Sequence, residues 1–210
     1  MKKTTILIDM YGVILEESKG FFIPYTFNAF DQSEYDRLTR QFREENLFTK
    51  ASNGELTSDE FLTRLGFDDP RFTMVNYIDH SLTLDKGFLP FAEKYASLYD
   101  FVLLSNDVSE WSAYITEHHG LDRFFSHKIV SGDVKCRKPD RKIYETALSV
   151  TGKKPEECLF VDNSVKNLLA AAELGIEPIL FNRDHEEYDG TVVTSFPELA
   201  ALLDQTNKEC

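Results

Sequence analysis

Residues 4–14 read TTILIDMYGVI, and this stretch decides the fold. Its β-branched and apolar residues predict a buried strand, which ends at the carboxylate of Asp9 and is followed by Gly12. A buried charge is costly unless it is compensated, so Asp9 predicts a site at the carboxyl edge of a sheet. An aspartate that closes a strand and only caps the next turn is the alternative interpretation.

From Gly87 onward the sequence alternates between short apolar runs and amphipathic runs. The apolar runs predict strands over residues 101–105, 127–130, 159–162 and 178–181. The amphipathic runs predict helices over residues 90–99, 110–119, 139–150 and 164–174. This alternation predicts an α/β fold, with a parallel sheet and helices on both of its faces.

Residues 15–86 have a different pattern. Apolar residues at helical spacing predict helices over residues 32–47 and 72–84, and a capping sequence at Thr57 predicts a further helix start. No run in this interval resembles a buried parallel strand. We therefore expect a helical insertion over 15–86 in a core that comprises residues 1–14 and 87–210.

Composition limits the classes of partner. The 210 residues include 36 acidic and 23 basic side chains, for a net charge of −13. This excess disfavours nucleic acid and anionic membrane as partners, because both require clustered cations. The three cysteines lack disulfide or metal spacing, and neither an apolar leader nor a long apolar run is present. We expect a cytoplasmic protein, monomeric or homodimeric.

Polar residues end several predicted strands. Asp9, Ser105, Asn106 and Asp162 stand at strand ends, and Lys138 precedes a helix that faces the same edge. Ser105 and Asn106 as helix caps, and Lys138 as a solvated helix start, are the alternative interpretations. Taken together, these residues suit attack by a carboxylate on phosphorus, in which a hydroxyl and an amide hold an anion and a lysine offsets charge.

A divalent cation would complete this chemistry, because it neutralises the repulsion between a carboxylate and phosphoryl oxygens. Mg²⁺ prefers oxygen ligands. The expected ligands are the carboxylates of Asp9 and Asp162 and the backbone carbonyl of Tyr11.

Four segments resemble the four motifs of the haloacid dehalogenase-like (HAD) hydrolase superfamily: residues 9–13 (DMYGV), 104–106 (LSN), 138–144 (KPDRKIY) and 160–164 (FVDNS). The resemblance implies a Rossmann-like core with an inserted α-helical cap. By position it makes Asp9 the nucleophile and a metal ligand and Asp162 a Mg²⁺ ligand. It also makes Ser105 and Asn106 phosphate-binding residues and Lys138 the residue that balances charge. The implied substrate is a small phosphorylated metabolite, such as a sugar phosphate or a nucleotide.

Two positions depart from the family's phosphatases. Tyr11 stands where those enzymes usually carry a second aspartate that serves as acid and base. A phenol can donate a proton but is a poor base near neutral pH, which could cost roughly 10²–10⁴ in rate. Asn163 stands where a second acid often follows the metal-binding aspartate.

Two other activities remain open. Asp-x-Tyr-Gly is the first-motif form of the metal-independent 2-haloacid dehalogenases, and Asn106, Lys138, Tyr144 and the halide- and carboxylate-binding candidate Arg40 agree with that resemblance. Asp162 opposes it, since those enzymes carry a small polar residue at its position. Tyr11 and Asn163 are also compatible with a regulatory or binding member of low turnover.

Overall fold

One parallel sheet organises the computed structural model, which describes residues 4–18 and 20–206. Its strands are β1 (Thr5–Ile8), β2 (Asp100–Ser105), β3 (Phe125–Val130), β4 (Cys158–Asp162), β5 (Glu177–Phe181) and β6 (Thr191–Val193). Across the sheet they follow the order β3-β2-β1-β4-β5-β6, and every pairing is parallel. This is the order of a Rossmann-like sheet, so the predicted fold class is confirmed.

Helices fill the connections between the strands. Between β1 and β2 lie α1 (Phe22–Ala29), α2 (Tyr35–Arg43), α3 (Leu47–Ser52), α4 (Ser58–Leu65), α5 (Pro70–Ser81) and α6 (Phe88–Tyr95). The later helices are α7 (Ser109–His118), α8 (Ser131–Val134), α9 (Arg141–Thr151), α10 (Val165–Ala172) and α11 (Phe196–Thr206). No helix in the described part of the chain is long and apolar enough to cross a bilayer.

Both faces of the sheet are covered, as β1 shows. Ile6 and Ile8 pack in an apolar cluster that includes side chains of α6, α7 and α11. Leu7, whose side chain points to the opposite face, packs with side chains of α9 and α10. All four residues of β1 are buried, which is why its sequence reads as a continuous apolar run.

The helical segment, defined here as residues 22–81, differs in detail from the prediction. A single helix over 32–47 was wrong, because Asn46 adopts a left-handed conformation (φ 52°) and separates α2 from α3. α1 was not predicted. It has no side-chain cap at its amino terminus, and its Phe22 is buried by contacts with residues distant in sequence.

Aromatic side chains join the helical segment to the sheet's helices. The ring centroid of Phe22 lies 4.8 Å from that of Trp111 on α7 and 5.1 Å from that of Tyr77 on α5. The indole Nε1 of Trp111 donates a 2.7 Å hydrogen bond to the hydroxyl of Ser58 on α4. Edge-to-face aromatic contacts of this kind stabilise beyond the area they bury. The cluster therefore fixes α4 and α5 above the carboxyl edge of the sheet.

Candidate active site

The parallel strands bring the predicted polar residues to one edge. β1 pairs with both β2 and β4, and Ile8 is in register with Leu103 and Val161. Asp9 follows β1, Ser105 ends β2 and Asp162 ends β4. Three side chains from separate motifs therefore lie at the ends of three adjacent strands.

Lys138 connects the two carboxylates of this edge. Its Nζ lies 2.7 Å from Oδ1 of Asp9 and 2.7 Å from Oδ2 of Asp162, and it donates to the backbone oxygen of Leu104 at 2.8 Å. All three charged side chains are buried, with Lys138 only 3% exposed. Buried charges need such pairing, because desolvation is otherwise prohibitive.

Asn106 fixes the backbone of Lys138. Its Nδ2 donates to the Lys138 carbonyl at 2.9 Å, and its Oδ1 accepts from the Lys138 amide at 2.8 Å. These two hydrogen bonds fix the position of the Lys138 backbone and therefore of its Cα. Asn106 is thus a positioning residue in this structure, in addition to the anion-binding role expected from its sequence position.

The charges at this edge do not balance. Burial raises the pKa of Asp9 from 3.8 to about 7; Lys138 opposes that rise and Asp162 adds to it. Burial alone would lower the pKa of Lys138, but the two carboxylates outweigh this effect and raise it. Two carboxylates facing one ammonium leave an excess negative charge in a buried site.

A divalent cation fits this arrangement. Within residues 4–18 and 20–206, the contacts of Asp9 use Oδ1, and its Oδ2 has no hydrogen bond or ion pair. The same part of the chain has no cluster of three or more His, Cys, Asp or Glu side chains suited to a metal. Two carboxylates and a backbone carbonyl match Mg²⁺, which usually keeps several water ligands.

Asp162 is held by its neighbours. Its Oδ1 accepts from the amide of Ser164 at 2.8 Å, and Nδ2 of Asn167 lies 3.1 and 3.2 Å from its two oxygens. Asn167 lies on α10, five residues after Asp162. The helix therefore holds the amide that orients the Asp162 carboxylate. Such supporting contacts are typical of carboxylates that bind metals.

Asn163 has a packing role. Gly12 adopts a positive φ of 75°, and a Cβ there would lie 2.4 Å from Nδ2 of Asn163. That amide also donates to Oδ2 of Asp184 at 3.2 Å. The departure from the family pattern at Asn163 therefore leaves a side chain that packs against the turn after Asp9.

Ser105 offers a hydroxyl without a partner. Its Oγ is buried and has no hydrogen bond in the described part of the chain. Unpaired buried hydroxyls are uncommon, because each costs free energy when left unsatisfied. An oxyanion at this edge would supply the missing acceptor.

Tyr11 contacts Asp107, a buried acid that was not among the predicted site residues. Its hydroxyl donates to Oδ1 of Asp107 at 3.3 Å, and Oδ1 also accepts from the amide of Val108. Asp107 is buried, its Oδ2 has no partner among the described residues, and burial raises its pKa to about 8. Burial likewise raises the pKa of Tyr11 well above its ordinary value, so the phenol is a neutral donor. The available signal was an acid directly after Ser105-Asn106.

A cavity of about 200 Å³ lies above the edge, between the helical segment and the core. Phe48 and Tyr77 line it from the helical segment, and Trp111 lines it from α7. The remaining lining residues are Tyr11, Ser18, Gly20, Asn106, Asp107 and Arg137. The cavity thus combines flat apolar walls with polar groups at its base.

Arg40 does not lie with these residues. Its side chain is 58% exposed on α2 and pairs with Glu45 at 3.6 Å. The buried face of α2 carries Leu38 and Gln41, which turns Arg40 toward solvent. The cation that lines the cavity is Arg137.

Two carboxylates and a lysine thus lie at the carboxyl edge of a Rossmann-like parallel sheet, which is where this class of fold binds its ligands. The sequence model of the haloacid dehalogenase-like hydrolase family matches residues 3–175. The chain therefore belongs to that family, which confirms the resemblance seen in its motifs.

Relatives and solved structures agree with this assignment. The chain is 28% identical to a glyceraldehyde 3-phosphate phosphatase of Pyrococcus furiosus over 111 residues, 49% of this chain and 45% of that one, so it spans about half the length of this relative. It is 26% identical to a GMP/IMP nucleotidase of Escherichia coli, over 82% of this chain and 79% of the relative. A HAD-family enzyme of Bacteroides thetaiotaomicron, solved with magnesium and inorganic phosphate, matches with a TM-score of 0.73 at 19% identity, covering 89% of this chain and 98% of its own.

Proposed function

We propose that the protein is a Mg²⁺-dependent phosphatase that hydrolyses a small phosphorylated metabolite and uses Asp9 as its nucleophile. The observation that carries the proposal is the buried Lys138 shared at 2.7 Å by Asp9 and Asp162. A nucleophilic carboxylate needs a fixed position and a nearby cation that offsets its charge. Burying a second carboxylate costs free energy, and binding of a metal ion by Asp162 would offset that cost. The phosphatase and the nucleotidase among the relatives support the same activity.

The residues have distinct roles in the proposed reaction. A carboxylate oxygen of Asp9 attacks phosphorus while the bond between phosphorus and the leaving oxygen breaks, and that oxygen takes a proton. Water then attacks the phosphorus of the aspartyl phosphate and loses a proton, which balances the proton taken by the leaving oxygen, while the bond between phosphorus and the Asp9 oxygen breaks. Inorganic phosphate leaves and the Asp9 carboxylate is restored. Lys138 holds Asp9 in place, and Ser105 and Asn106 donate hydrogen bonds to the phosphoryl oxygens.

Mg²⁺ would be held by the carboxylates of Asp9 and Asp162 and by the backbone carbonyl of Tyr11. When bound, it neutralises charge on the phosphoryl oxygens. The excess negative charge around Lys138 and the unpaired Oδ2 of Asp9 support this ligand set.

The insertion over residues 15–86 acts in this proposal as a cap on the core of residues 1–14 and 87–210. Phe48 and Tyr77 support that role, because they line the cavity together with Asn106 and Asp107. A cap of this kind excludes water from the reacting atoms and selects the substrate by its shape.

Phosphate release from a panel of phosphomonoesters, measured with Mg²⁺ and again with EDTA, tests the proposal. We expect turnover that disappears in EDTA and returns with added Mg²⁺. Turnover that is unaffected by EDTA would contradict the metal ligand set, and a panel without turnover would contradict phosphatase activity.

A second candidate is 2-haloacid dehalogenase activity, in which Asp9 attacks carbon and displaces halide. Tyr11 favours it by its position two residues after Asp9, and Arg137 offers a cation near the cavity for a carboxylate. Asp162 disfavours it, because an extra carboxylate has no purpose in a site without metal. Chloride release from 2-chloropropionate in the presence of EDTA would establish this activity, and its absence would remove the candidate.

A further inference from the structure

Arg137 differs from the other partly buried arginines of the described chain. Arg37 pairs with Glu34 at 2.6 Å, and Arg183 pairs with Asp85. Arg137 forms no ion pair in residues 4–18 and 20–206, and its side-chain hydrogen bond there is a long one, from Nη1 to the hydroxyl of Ser52 at 3.4 Å. Burial lowers its pKa, with no carboxylate offsetting the effect.

An unpaired guanidinium in this position is unusual. Arginine carries five N–H donors in a planar fork that suits carboxylate and phosphate oxygens, and it rarely loses water without such a partner. The free energy lost by partial burial of Arg137 is therefore not recovered within the described chain. A ligand with a negatively charged group would recover it.

The position of Arg137 in the cavity indicates what kind of anionic ligand would bind it. The residue precedes Lys138 and lines the same cavity as Asn106, whose amide holds the Lys138 backbone. The acid that lines the cavity, Asp107, accepts hydrogen bonds at Oδ1 from the hydroxyl of Tyr11 and the amide of Val108 and forms no ion pair with Arg137. A molecule whose phosphate lies at the carboxyl edge can thus reach Arg137 with its opposite end.

We propose that Arg137 binds a second anionic group of the phosphorylated substrate, either a carboxylate or a second phosphate. This inference rests on the proposed phosphatase function. The cavity of about 200 Å³ has room beside Arg137 for a small anionic group of the substrate. The substrate class is therefore a phosphomonoester that carries a second anionic group.

Matched pairs of substrates test the inference. One pair is 2-phosphoglycolate and 2-hydroxyethyl phosphate, which differ in a carboxylate; the other is 1,3-propanediol bisphosphate and 3-hydroxypropyl phosphate, which differ in a phosphate. For wild-type protein with Mg²⁺ we expect kcat/KM to be at least about tenfold higher for the charged member of one pair. The pair that shows the preference identifies the anionic group.

Substitution of Arg137 should abolish that preference. We expect the ratio of kcat/KM within the preferred pair to fall about 10- to 100-fold in Arg137→Gln, and Arg137→Lys to retain part of it because a charge remains. Arg141→Gln is the matched control, since Arg141 is exposed, lies four residues away and forms a 2.7 Å surface ion pair with Glu145. Its ratio should equal that of wild type.

Each other result overturns the inference. Equal kcat/KM within both pairs for wild type, with p-nitrophenyl phosphate hydrolysed, would refute the second anionic group and leave the phosphatase function intact. An equal loss for both members of a pair in Arg137→Gln would reduce Arg137 to a structural residue, which a lowered melting temperature would corroborate. Failure to hydrolyse any phosphomonoester, p-nitrophenyl phosphate included, would refute the phosphatase function itself and with it the inference.

Discussion

Asp162 and Asp107 are both buried acids at the carboxyl edge of the sheet, yet their surroundings are opposite. Asp162 contacts Lys138 at 2.7 Å and accepts hydrogen bonds from the amides of Ser164 and Asn167. Asp107 accepts from Tyr11 and Val108, and its second oxygen has no partner in the described chain. A buried acid at a strand end is therefore not by itself a site for charge chemistry, because Asp162 has a buried cation beside it and Asp107 has none within ion-pair distance in the described chain.

The largest expected effect concerns the side of the edge that holds Lys138. Asp9→Asn keeps the size of the side chain but removes the carboxylate that we propose as the nucleophile, so the proposed phosphatase activity should fall at least about 10⁴-fold in kcat. Phosphate release measures the loss. The fold should persist, because Asp162 still pairs with Lys138 and the excess buried negative charge is removed.

The control for this substitution is Asp36→Asn, which changes an exposed aspartate on α2. It should turn over substrate at the wild-type rate. A melting temperature of Asp9→Asn well below that of wild type would mean that unfolding, and not a lost nucleophile, explains the lost activity.

Lys138→Met should cost the most stability of any substitution at this edge. It leaves Asp9 and Asp162 buried without their shared cation, and breaking a buried ion pair in this way typically costs about 3–5 kcal/mol. Urea unfolding in EDTA measures the free energy of unfolding. The double variant Asp9→Asn with Lys138→Met should recover part of the loss, and an additive result would show that the two residues do not interact.

Asp107, in contrast, should make the free energy of unfolding depend on pH. In the unfolded chain this acid loses its proton near 3.8, and in the folded protein near 8. Between these values the unfolded state releases a proton that the native state keeps, so the free energy of unfolding falls as pH rises. The stabilising contribution of Asp107 to the free energy of unfolding is fully present below about pH 4 and is lost as the pH rises to about 8.

Asp107→Asn isolates that contribution. Relative to this variant, wild-type protein in EDTA should lose roughly 3–6 kcal/mol between about pH 4 and about pH 8.5. Denaturant unfolding at both pH values gives the difference, which includes the interaction of Asp107 with Asp9, because the charge of Asp9 adds to the rise in the pKa of Asp107. Parallel pH profiles would show that Asp107 is ionised in the native protein and that the comparison with Asp162 is wrong.

The strands and their polar ends could be predicted because the signals are local. The run before Asp9 and the run before Asp162 are apolar on both faces, and parallel pairing then brings the two acids to one edge. α1 could not be predicted in this way, because it lacks a cap and depends on the contacts of Phe22 with Tyr77 and Trp111. Distant packing of this kind leaves no periodic signal.

The choice among arginines also depended on packing. Arg40 stands on an amphipathic helix, and the sequence alone does not tell that Leu38 and Gln41 take the buried face while Arg40 pairs with Glu45 in solvent. Arg137 has no spacing that distinguishes it from an ordinary residue before Lys138. Its interest comes from partial burial beside a cavity without an ion pair, which only the tertiary structure shows.

The smallest expected effect tests where the proton of Tyr11 goes. The hydroxyl lies 3.3 Å from Oδ1 of Asp107, so Tyr11→Phe should remove one hydrogen bond and cost about 1 kcal/mol of stability. If that bond is also its role during turnover, kcat/KM should change by the same small factor for p-nitrophenyl phosphate and for an alkyl phosphate. A much larger loss for the alkyl phosphate, whose leaving oxygen needs a proton, would instead make Tyr11 the general acid. Tyr11 would then serve the reaction directly, and the two sides of the edge would act as one site.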